Sequence, residues 1–420
     1  MGNSLNRSEF RRSVVVVGGG IVGAACAFTL QRAGFGVTLV DRGDPQRAAT
    51  WGNAGHFAYE QIFPLAQPGI WPQLPRMLFS PDGPLWIPPA SWFSLAPWLC
   101  RFAWNTRPSQ VRRASAALAC LLSQARAAWS RLAEAADLRS RIKTSPILVV
   151  ARDMATMSAK RSLMKRYRRE GIEVEELDCG AAREIEPALR ADIAGAFSYP
   201  NSEYTTNPGE LVAELAAAFV VAGGRVIYDE VCSVRPLANG DVSVMGANQN
   251  VEAAQCVIAA GAGSKPMLHS LAIAVPLEAE RGYHLMVPNP GVRVPIIGAR
   301  PEFVMTPMEF GLRLAGTVEL APCAAPPAWR RASLLRHLAE DLLGPFGVPA
   351  DAPRWMGCRP SLPDSLPVIG RMPSVPKVIL AFGHQHLGLT LAAITAELVC
   401  SVASNTRSSI DLVPYSLERF

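Results

Sequence analysis

A glycine-rich turn between an apolar strand and a helix constrains this chain more than any other feature. Val14–Val17 form an apolar run of the kind found in a buried parallel strand. Gly18, Gly20 and Gly23 follow in G-x-G-x-x-G spacing. In that pattern the first glycine permits the tight turn, the second lets the backbone approach a pyrophosphate, and the third lets the helix pack closely on the strand. The spacing therefore predicts a βαβ unit that binds a dinucleotide.

The second half of this unit supports the same interpretation. A helix is predicted through Ala27 and Leu30, and the strand Val37–Val40 then ends in Asp41. Asp41 lies 23 residues after Gly18, where the pattern places an acid that binds a ribose hydroxyl. A tight turn with no ligand would leave the glycines and the acid unexplained.

Composition limits the alternatives. The chain has 420 residues, which predicts two domains, and its 49% apolar content is enough for a large core. The net charge of +6 is spread along the chain, and the basic run 160–169 is most simply a solvated helix face, so no nucleic-acid partner is expected. The nine cysteines form no CxxC pair, which we interpret as reduced thiols of a cytoplasmic protein. No apolar segment reaches about 18 residues, so no transmembrane helix is expected.

Residues 61–108 combine many prolines with five of the nine tryptophans. The simplest interpretation is a folded wall that packs on the substrate domain. The alternative is a lid, within 71–104, that faces a membrane or a partner chain, because tryptophan favours such interfaces. The second interpretation would place the protein peripherally on the inner face of the membrane.

Seven motifs occur in one order along the chain. They are VVVVGGGIVG (14–23), GNAGH (52–56), VIAAGAGS (257–264), ERGYH (280–284), GLRLAGTVEL (311–320), GCRPSLPDSLPVIG (357–370) and GHQHLGLT (383–390). With these motifs the chain resembles the D-amino-acid oxidase/dehydrogenase (DAO) superfamily of flavoenzymes over nearly its whole length. It is closest in appearance to bacterial D-amino-acid dehydrogenases and D-hydroxyproline dehydrogenase-like enzymes.

The resemblance implies an α/β fold with two domains. A Rossmann-like FAD-binding domain is expected to be discontinuous, over 13–60, 143–265 and 354–420. A second, α+β substrate domain, built on an antiparallel or mixed sheet, is expected over 61–142 and 266–353.

The resemblance also implies that FAD, and not NAD, is the cofactor. The loop Gly383–Gly388 precedes a helix, whose positive N-terminus would stabilise the anion formed when the flavin is reduced. The expected FAD-binding residues are Gly18, Gly20, Ile21, Val22, Gly23, Asp41, Arg42, Thr50, Asn53, Ala54, Val231, Ala260, Gly261, Gly383, His384, Gly388, Leu389 and Thr390.

The implied reaction is the dehydrogenation of a D-amino acid or a cyclic imino acid of the D-proline or hydroxy-D-proline type. The Cα hydrogen would leave as hydride to flavin N5, and a quinone or another carrier would accept the electrons. Two alternatives stay open: an oxidase that uses O₂, and a flavin-binding subunit of a hetero-oligomeric dehydrogenase.

Arg359 is the expected anchor for the substrate carboxylate, because a guanidinium grips a carboxylate with two parallel hydrogen bonds. It matches the carboxylate-binding arginine of the resembled enzymes. The structural alternative for this residue is a salt bridge to Asp364. Arg313 is a second candidate anchor, on a strand whose buried face the sequence does not decide.

Three further residues are candidates for contact with the substrate. Tyr283 would bind the carboxylate beside Arg359, and His284 or His56 would take the ammonium proton, since imidazole titrates near neutral pH. A structural hydrogen bond is the alternative for each histidine. No metal site is expected, because the chain has no HExxH motif.

Overall fold

The computed structural model describes residues 12–71, 83 and 85–420. The predicted lid segment falls partly on 72–82 and 84, which lie outside the described residues. In chain order the strands are β1 (Ser13–Val17), β2 (Gly36–Asp41), β3 (His56–Phe57), β4 (Leu85–Trp86), β5 (Lys143–Ala151), β6 (Glu175–Leu177), β7 (Gly195–Tyr204), β8 (Arg225–Tyr228), β9 (Val231–Pro236), β10 (Val242–Gly246), β11 (Asn250–Ala253), β12 (Gln255–Ile258), β13 (Glu278–Val287), β14 (Ile296–Ala299), β15 (Glu302–Met308), β16 (Gly311–Leu320), β17 (Arg354–Ser361), β18 (Val368–Arg371) and β19 (Val378–Phe382). The α-helices are α1 (Ile21–Arg32), α2 (Trp92–Asn105), α3 (Pro108–Ala135), α4 (Met154–Arg169), α5 (Cys179–Ile185), α6 (Pro208–Val221), α7 (Ser264–Ser270), α8 (Arg330–Leu343) and α9 (Gly388–Ala403).

The cofactor sheet has six strands in the order β18-β19-β12-β1-β2-β8. Five of them run parallel, and β18 pairs antiparallel with β19 at one edge. Strand β1 is buried along its whole length, as its run of valines predicts. The predicted βαβ unit is therefore present, with β1 at the centre of the sheet.

Helices α1 and α9 pack together on one face of this sheet. Both are built from small apolar residues, so the two helices approach closely. Helix α9 is long and apolar enough to cross a membrane by composition. However, 67% of the most apolar window within Gln385–Ala403 is buried inside the fold, as expected for a core helix.

The second sheet is mixed and follows the order β17-β13-β16-β15-β14-β5-β7-β3, with β4 paired to β16 and β6 to β7. Its pairs are mostly antiparallel, and β14 with β5 is parallel. Together the two sheets give the predicted fold class, an α/β cofactor region and a second region on a mixed sheet.

Strand membership departs from the predicted domain boundaries in two places. Strands β5, β6 and β7, within 143–265, belong to the second sheet. So does β17, within 354–420. The apolar pattern of a strand shows that the strand is buried but does not show which sheet it joins. For that reason the expected domain ranges differ from the observed sheet membership at these four strands.

The cysteines also differ from expectation. Cys323, just after β16, and Cys358, on β17, form a disulfide with their Cα atoms 6.0 Å apart. The other seven cysteines are free thiols, and those of Cys26 and Cys256 are fully buried. The two paired cysteines lie 35 residues apart and share no motif, so the sequence gives no sign of their pairing.

Candidate active site

A cavity of about 1080 Å³ opens where the parallel strands of the cofactor sheet end. The turns after β1, β2, β8 and β12 all contribute to its wall, as do residues of β17 from the second sheet. Ligands bind at this edge in open α/β sheets because the strand order reverses there. The volume lies just above the usual range for ligand pockets, roughly 300–1,000 Å³, which suits a long ligand together with a small one.

The three glycines of the turn have separate physical roles. Gly18 has φ +106°, and a Cβ there would lie 2.7 Å from the carbonyl oxygen of Ala259. A Cβ on Gly23 would lie 1.8 Å from the carbonyl oxygen of Gly18, so only glycine lets α1 pack on the turn. Gly20 instead faces open space, and a Cβ there would approach only Thr50 Oγ1, at 3.8 Å. Gly20 therefore leaves room for a ligand against the backbone.

Asp41 connects the end of β2 with the glycine turn. Its Oδ2 accepts a hydrogen bond from the amide of Gly19 at 2.7 Å, and its Oδ1 accepts one from Gly43 at 2.9 Å. An ionised carboxylate has about four lone-pair directions, so both oxygens keep capacity to accept a ribose hydroxyl. Asp41 lines the cavity, as expected for that role.

Most of the expected FAD-binding residues line this one cavity. They are Gly18, Gly20, Ile21, Val22, Asp41, Arg42, Thr50, Asn53, Ala54, Val231, Ala260, Gly261, His384, Gly388 and Leu389. The open space beside Gly20 is matched at Gly261, where nothing would meet a Cβ within 4 Å. These residues fit a dinucleotide laid along the strand ends.

Three expected FAD-binding residues do not line the cavity and act through packing. Gly23 admits α1, as described above. A Cβ on Gly383 would lie 2.3 Å from Leu362 Cδ1, so this glycine makes room for a leucine. The Thr390 hydroxyl is fully buried and accepts a hydrogen bond from the amide of Ala58 at 2.9 Å. These residues shape the site without facing a ligand.

Arg359 lies in the same cavity but on the second sheet. Its Nη1 donates a hydrogen bond of 2.8 Å to Glu280 Oε1 on the neighbouring strand β13. The guanidinium lies across Gly282, where a Cβ would be 2.7 Å from Nη2. The alternative pairing with Asp364 is not formed, because Asp364 binds Arg419 at 2.7 Å. Arg359 is thus placed where a carboxylate can reach it.

The second candidate anchor, Arg313, is used inside the fold. Its Nη1 donates hydrogen bonds to the carbonyl oxygens of Trp51, at 3.2 Å, and Asn53, at 2.5 Å. Burial lowers the pKa of Arg313 to about 10. The residue does not line the cavity and instead holds the loop that carries Asn53. The expectation of a substrate contact at Arg313 does not agree with this placement.

His284 also lies behind the residues that line the cavity and does not line the cavity itself. Its Nδ1 lies 3.1 Å from the carbonyl oxygen of Gly52, and its ring stacks on Trp355 with centroids 5.1 Å apart. Burial, and then the charge of Arg313, lower the pKa of His284 to about 3. The neutral His284 ring therefore supports Trp355, which lines the cavity. His284 does not line the cavity itself and is badly placed to take a proton from a substrate.

Tyr283 points to the opposite side of β13 from Arg359. Its hydroxyl donates a very short hydrogen bond to Glu319 and accepts one of 3.0 Å from the amide of Ala328. Burial, followed by the bond to Glu319, raises the pKa of Tyr283 to about 12. Because the hydroxyl is already engaged away from the cavity, the expected contact with a substrate carboxylate is not made.

His56 is the one expected proton acceptor that lines the cavity. Its Nε2 lies 3.5 Å from Oε1 of Glu60, and both side chains are almost wholly buried. Glu60 was not among the expected site residues. It reaches His56 through the turn at 59–60 that follows β3, a contact that strand alternation does not predict.

Two further features of the cavity wall, a histidine and a disulfide, were not predicted. His386 is partly buried in the loop before α9, and burial lowers its pKa. The Cys323–Cys358 disulfide lies directly beside Arg359 and ties β17 to the loop after β16. His386 falls within a motif that was noted, whereas the disulfide has no sequence signal. Within the described part of the chain, no group of three or more His, Cys, Asp or Glu residues is arranged to hold a metal ion.

Comparison with known proteins identifies the family. The profile of the DAO family, described as FAD dependent oxidoreductase, matches residues 13–402. The chain belongs to this family. It is therefore an FAD-dependent oxidoreductase, and the predicted family and cofactor are confirmed.

Two relatives of known name match this chain over 97% of its length. It is 34% identical to the D-amino-acid oxidase of Bradyrhizobium diazoefficiens, over 97% of this chain and 99% of that protein. It is 29% identical to D-amino acid dehydrogenase 2 of Ralstonia nicotianae, over 97% of this chain and all of that protein. These relatives are named for the oxidation or dehydrogenation of amino acids.

Solved structures match the fold of the DAO-family chain. Glycine oxidase from Geobacillus kaustophilus superposes with a TM-score of 0.75 at 24% identity, over 97% of this chain and 98% of that one. L-α-glycerophosphate oxidase from Mycoplasma pneumoniae, solved with FAD bound, superposes with a TM-score of 0.70 at 16% identity, over 93% and 94%. The predicted fold class is thereby confirmed.

Proposed function

We propose that this enzyme oxidises a D-amino acid or a cyclic imino acid of the D-proline or hydroxy-D-proline type. One observation carries the proposal. Arg359 lies in the cavity that the glycine turn opens into, yet on the second sheet, and among the described residues only Nη1 of its guanidinium is hydrogen-bonded. A carboxylate held there would place the rest of a small amino acid between the second sheet and the cofactor turn.

The remaining edge of the guanidinium suits this role. Nε and Nη2 make no hydrogen bond to any residue in the described ranges, and together they can grip a carboxylate through two parallel bonds. Bound FAD supplies the acceptor for the substrate Cα hydrogen and its electron pair. The amine must be neutral for that loss, because its lone pair forms the new C=N bond. His56, on the cavity wall, is the proposed proton acceptor.

The start of α9 is proposed to favour the reduced cofactor. Gly388 and Leu389, its first two residues, line the cavity. A helix N-terminus carries about +0.5 charge and free N–H groups, which stabilise a nearby anion. His384, just before this helix, is buried and its pKa is lowered to about 3 by burial, so at neutral pH it adds no positive charge to that of the helix N-terminus.

The names of the relatives support an amino-acid substrate of D configuration, since both relatives described above carry that configuration in their names. For the electron acceptor we propose a quinone or another carrier. The O₂-using alternative is favoured by one observation, the name oxidase of the relative at 34% identity.

We further propose a cytoplasmic protein that touches the inner face of the membrane through α2. Phe93 is 94% exposed on this helix, and Trp104 is 53% exposed on it. Arg101 and Arg107 are exposed nearby. Exposed aromatic rings beside cationic side chains suit a lipid–water interface. A partner subunit on the same surface is the competing outcome.

The test of the proposed function is anaerobic bleaching of the flavin absorbance. The FAD-loaded protein is mixed with D- and L-amino acids, D-proline, the hydroxyprolines and sarcosine. We expect bleaching by D-amino acids or by D-proline-type rings. Re-oxidation by a quinone without peroxide supports the dehydrogenase, and peroxide in air supports the oxidase. A flavoprotein that nothing in the panel bleaches would overturn the proposal and favour the subunit alternative.

A further inference from the structure

Residues 56–59, which follow the loop that carries Asn53, place alternate side chains on opposite sides. His56 and Ala58 line the cavity. Phe57 packs edge-on against Trp129, and the Tyr59 hydroxyl donates to Glu203 at 2.7 Å, both away from the cavity. Strand β3 ends at Phe57, and residues 59–60 form a turn, in which the amide of Tyr59 donates to the carbonyl oxygen of Phe57 at 3.0 Å. This turn brings the carboxylate of Glu60 back beside His56, behind the cavity wall.

His56 and Glu60 are buried, and they face each other without a complete hydrogen bond. Their side chains are 8% and 4% exposed, and Nε2 lies 3.5 Å from Oε1. Neither atom has a hydrogen-bond partner at bonding distance among the residues that the structure describes. Among residues 12–71, 83 and 85–420, His56 is the one basic side chain within ion-pair distance of the Glu60 carboxylate. Burying a carboxylate without a compensating partner is costly, so a shift of a few tenths of an ångström that closes this bond is favoured.

Two buried tyrosines lie near the pair, but no hydrogen bond joins either of them to Glu60 in the described part of the chain. Burial, followed by the Glu60 charge, raises the pKa of Tyr167 and of Tyr199, so both stay protonated. Tyr199 donates its hydroxyl to the sulfur of Met164 instead. The other charged or titratable groups at this end of the cavity are Glu302, His386, Arg359 and Glu280.

We infer that Glu60 is a positioning residue that fixes His56 with its Nε2 protonated, so that Nδ1 faces the cavity and takes the proton of the substrate ammonium group. His56 Nδ1 makes no hydrogen bond to a described residue, and His56 lines the cavity. The carboxylate of Glu60 then stabilises the imidazolium that forms. The inference rests on the proposed function and explains how the substrate amine becomes neutral.

The proton and electron balance is complete. An ammonium N–H bond breaks, its proton forms a bond to His56 Nδ1, and the electron pair stays on nitrogen. That pair forms the C=N bond when the Cα hydrogen leaves with its two electrons to the FAD that the family uses. The substrate is oxidised by two electrons, and His56 returns its proton to solvent after the product leaves. The site therefore suits amino acids that arrive as ammonium zwitterions, with a primary or a secondary amine.

The kinetic test compares three variants by anaerobic bleaching at saturating substrate. We expect His56→Gln to bleach about 10²–10⁴-fold more slowly at pH 7, the usual contribution of a general base. Glu60→Gln is expected to lose about 10- to 100-fold in the same rate, with little change in the substrate concentration at half-saturation. The control is Glu203→Gln, the same change on the opposite side of this segment, which should bleach at the wild-type rate.

The pH profile separates proton transfer from a structural role. In His56→Gln the rate should rise about tenfold per pH unit until the substrate amine is itself deprotonated, because the variant must wait for free amine. The deficit against wild type should therefore shrink as pH rises. A deficit that is constant with pH, or a Glu60→Gln variant that bleaches like wild type, would overturn the inference.

A second measurement does not depend on turnover. Long-range ¹H–¹⁵N spectra of histidine-labelled, FAD-loaded protein report the tautomer of each ring, with His56 assigned by its loss in His56→Gln. We expect the Nε2–H tautomer in wild type and a mixture in Glu60→Gln. Adding 2-aminoisobutyrate, which has no Cα hydrogen, should convert wild-type His56 to imidazolium. If the His56 tautomer is the same in Glu60→Gln as in wild type, Glu60 does not position His56, and the proposed function is unaffected. If wild-type His56 has the Nε2–H tautomer but no amino acid bleaches the flavin, both the proposed function and the proton transfer to His56 are refuted.

Discussion

Glu280 and Arg359 are joined by a hydrogen bond of 2.8 Å between Oε1 and Nη1, across the paired strands β13 and β17. Ser361 Oγ lies 3.4 Å from the other carboxylate oxygen. The pair holds the guanidinium in one orientation and leaves its Nε–Nη2 edge for a ligand. The partner of this arginine is thus a neighbour in the sheet, and the edge that a substrate would use is fixed in advance of binding.

Replacing Arg359 should weaken the binding of a substrate carboxylate. Loss of a charge-assisted hydrogen bond costs about 2 kcal/mol, which corresponds to a roughly 30-fold rise in the half-saturating substrate concentration for Arg359→Ala. Arg359→Lys keeps the positive charge but not the two parallel hydrogen bonds, so its half-saturating substrate concentration should lie between those of wild type and Arg359→Ala. Titration of flavin bleaching measures both. Arg336→Ala, on an exposed face of α8, is the control; unchanged half-saturation in both Arg359 variants would exclude the anchor.

Two glycines of one turn should respond differently to alanine. Gly20→Ala places a methyl group in open space, so the FAD-free protein should melt as wild type does while FAD binds more weakly. Gly23→Ala places a methyl group 1.8 Å from the Gly18 carbonyl oxygen and should lower the melting temperature itself. Thermal unfolding with and without added FAD tests both. Equal effects of the two variants on melting without FAD would contradict the assignment.

The disulfide can be counted chemically. Seven cysteines are free, so denatured, unreduced protein should bind seven maleimides, and the two bridged residues should add two more after reduction. By loop-closure entropy, a bridge over 35 residues contributes about 4 kcal/mol to the free energy of unfolding. Cys323→Ser with Cys358→Ser should therefore unfold at lower urea. Nine modified residues before reduction would show that the bridge does not form in solution.

Acid should destabilise the fold partly through His384. Its ring is fully enclosed, with Nε2 2.9 Å from Thr395 Oγ1, and burial lowers its pKa from 6.5 to about 3. Between these pH values the unfolded state binds more protons, so the free energy of unfolding falls as pH falls, by up to about 1.4 kcal/mol per pH unit. In urea melts from pH 7 to pH 4, His384→Asn should show a shallower slope. The exposed His337→Asn should keep the wild-type slope; a wild-type slope in His384→Asn would contradict the prediction.

The exposed aromatic face of α2 can be tested with vesicles. Phe93→Asp removes the most exposed ring and adds a negative charge, so sedimentation with phosphatidylglycerol vesicles should fall several-fold. Phe310→Asp makes the same change at a ring that is 80% exposed elsewhere and serves as the control. If neither wild type nor the control sediments with vesicles, the membrane proposal fails, and size-exclusion chromatography then tests for a partner chain.

The cofactor half of this site could be predicted from the sequence because it depends on residues that are close together in the chain. The strand, the glycine turn and Asp41 must follow one another at fixed spacing, and each of them lines or shapes the cavity as predicted. Arg359 could be placed because its motif is distinctive, although its partner could not. Salt-bridge partners depend on strand register, which brings Glu280 beside Arg359 and leaves Asp364 to Arg419.

The substrate half of the site was harder to predict from the sequence, because it too depends on strand register and on contacts between distant residues. Tyr283, His284 and Arg313 are polar residues in distinctive motifs, but none of the three lines the cavity. Alternation turns Tyr283 to the opposite face of β13, whereas His284 and Arg313 are bound to carbonyl oxygens of the loop 51–53. A polar residue in a strand motif can face a ligand or a buried partner, and the sequence alone does not separate these outcomes. The disulfide depends on the loop after β16 meeting strand β17 in space, which no local pattern records.

The division of the cavity between two sheets has an evolutionary consequence. The residues that shape the dinucleotide end follow strands of the six-stranded sheet, whereas Arg359 and Trp355 come from β17 of the other sheet. Substitutions on β17 or its neighbours can therefore alter which molecule is accepted without disturbing the glycine turn. Such an arrangement lets one ancestral scaffold diversify by drift and selection in one half while the other half is held constant.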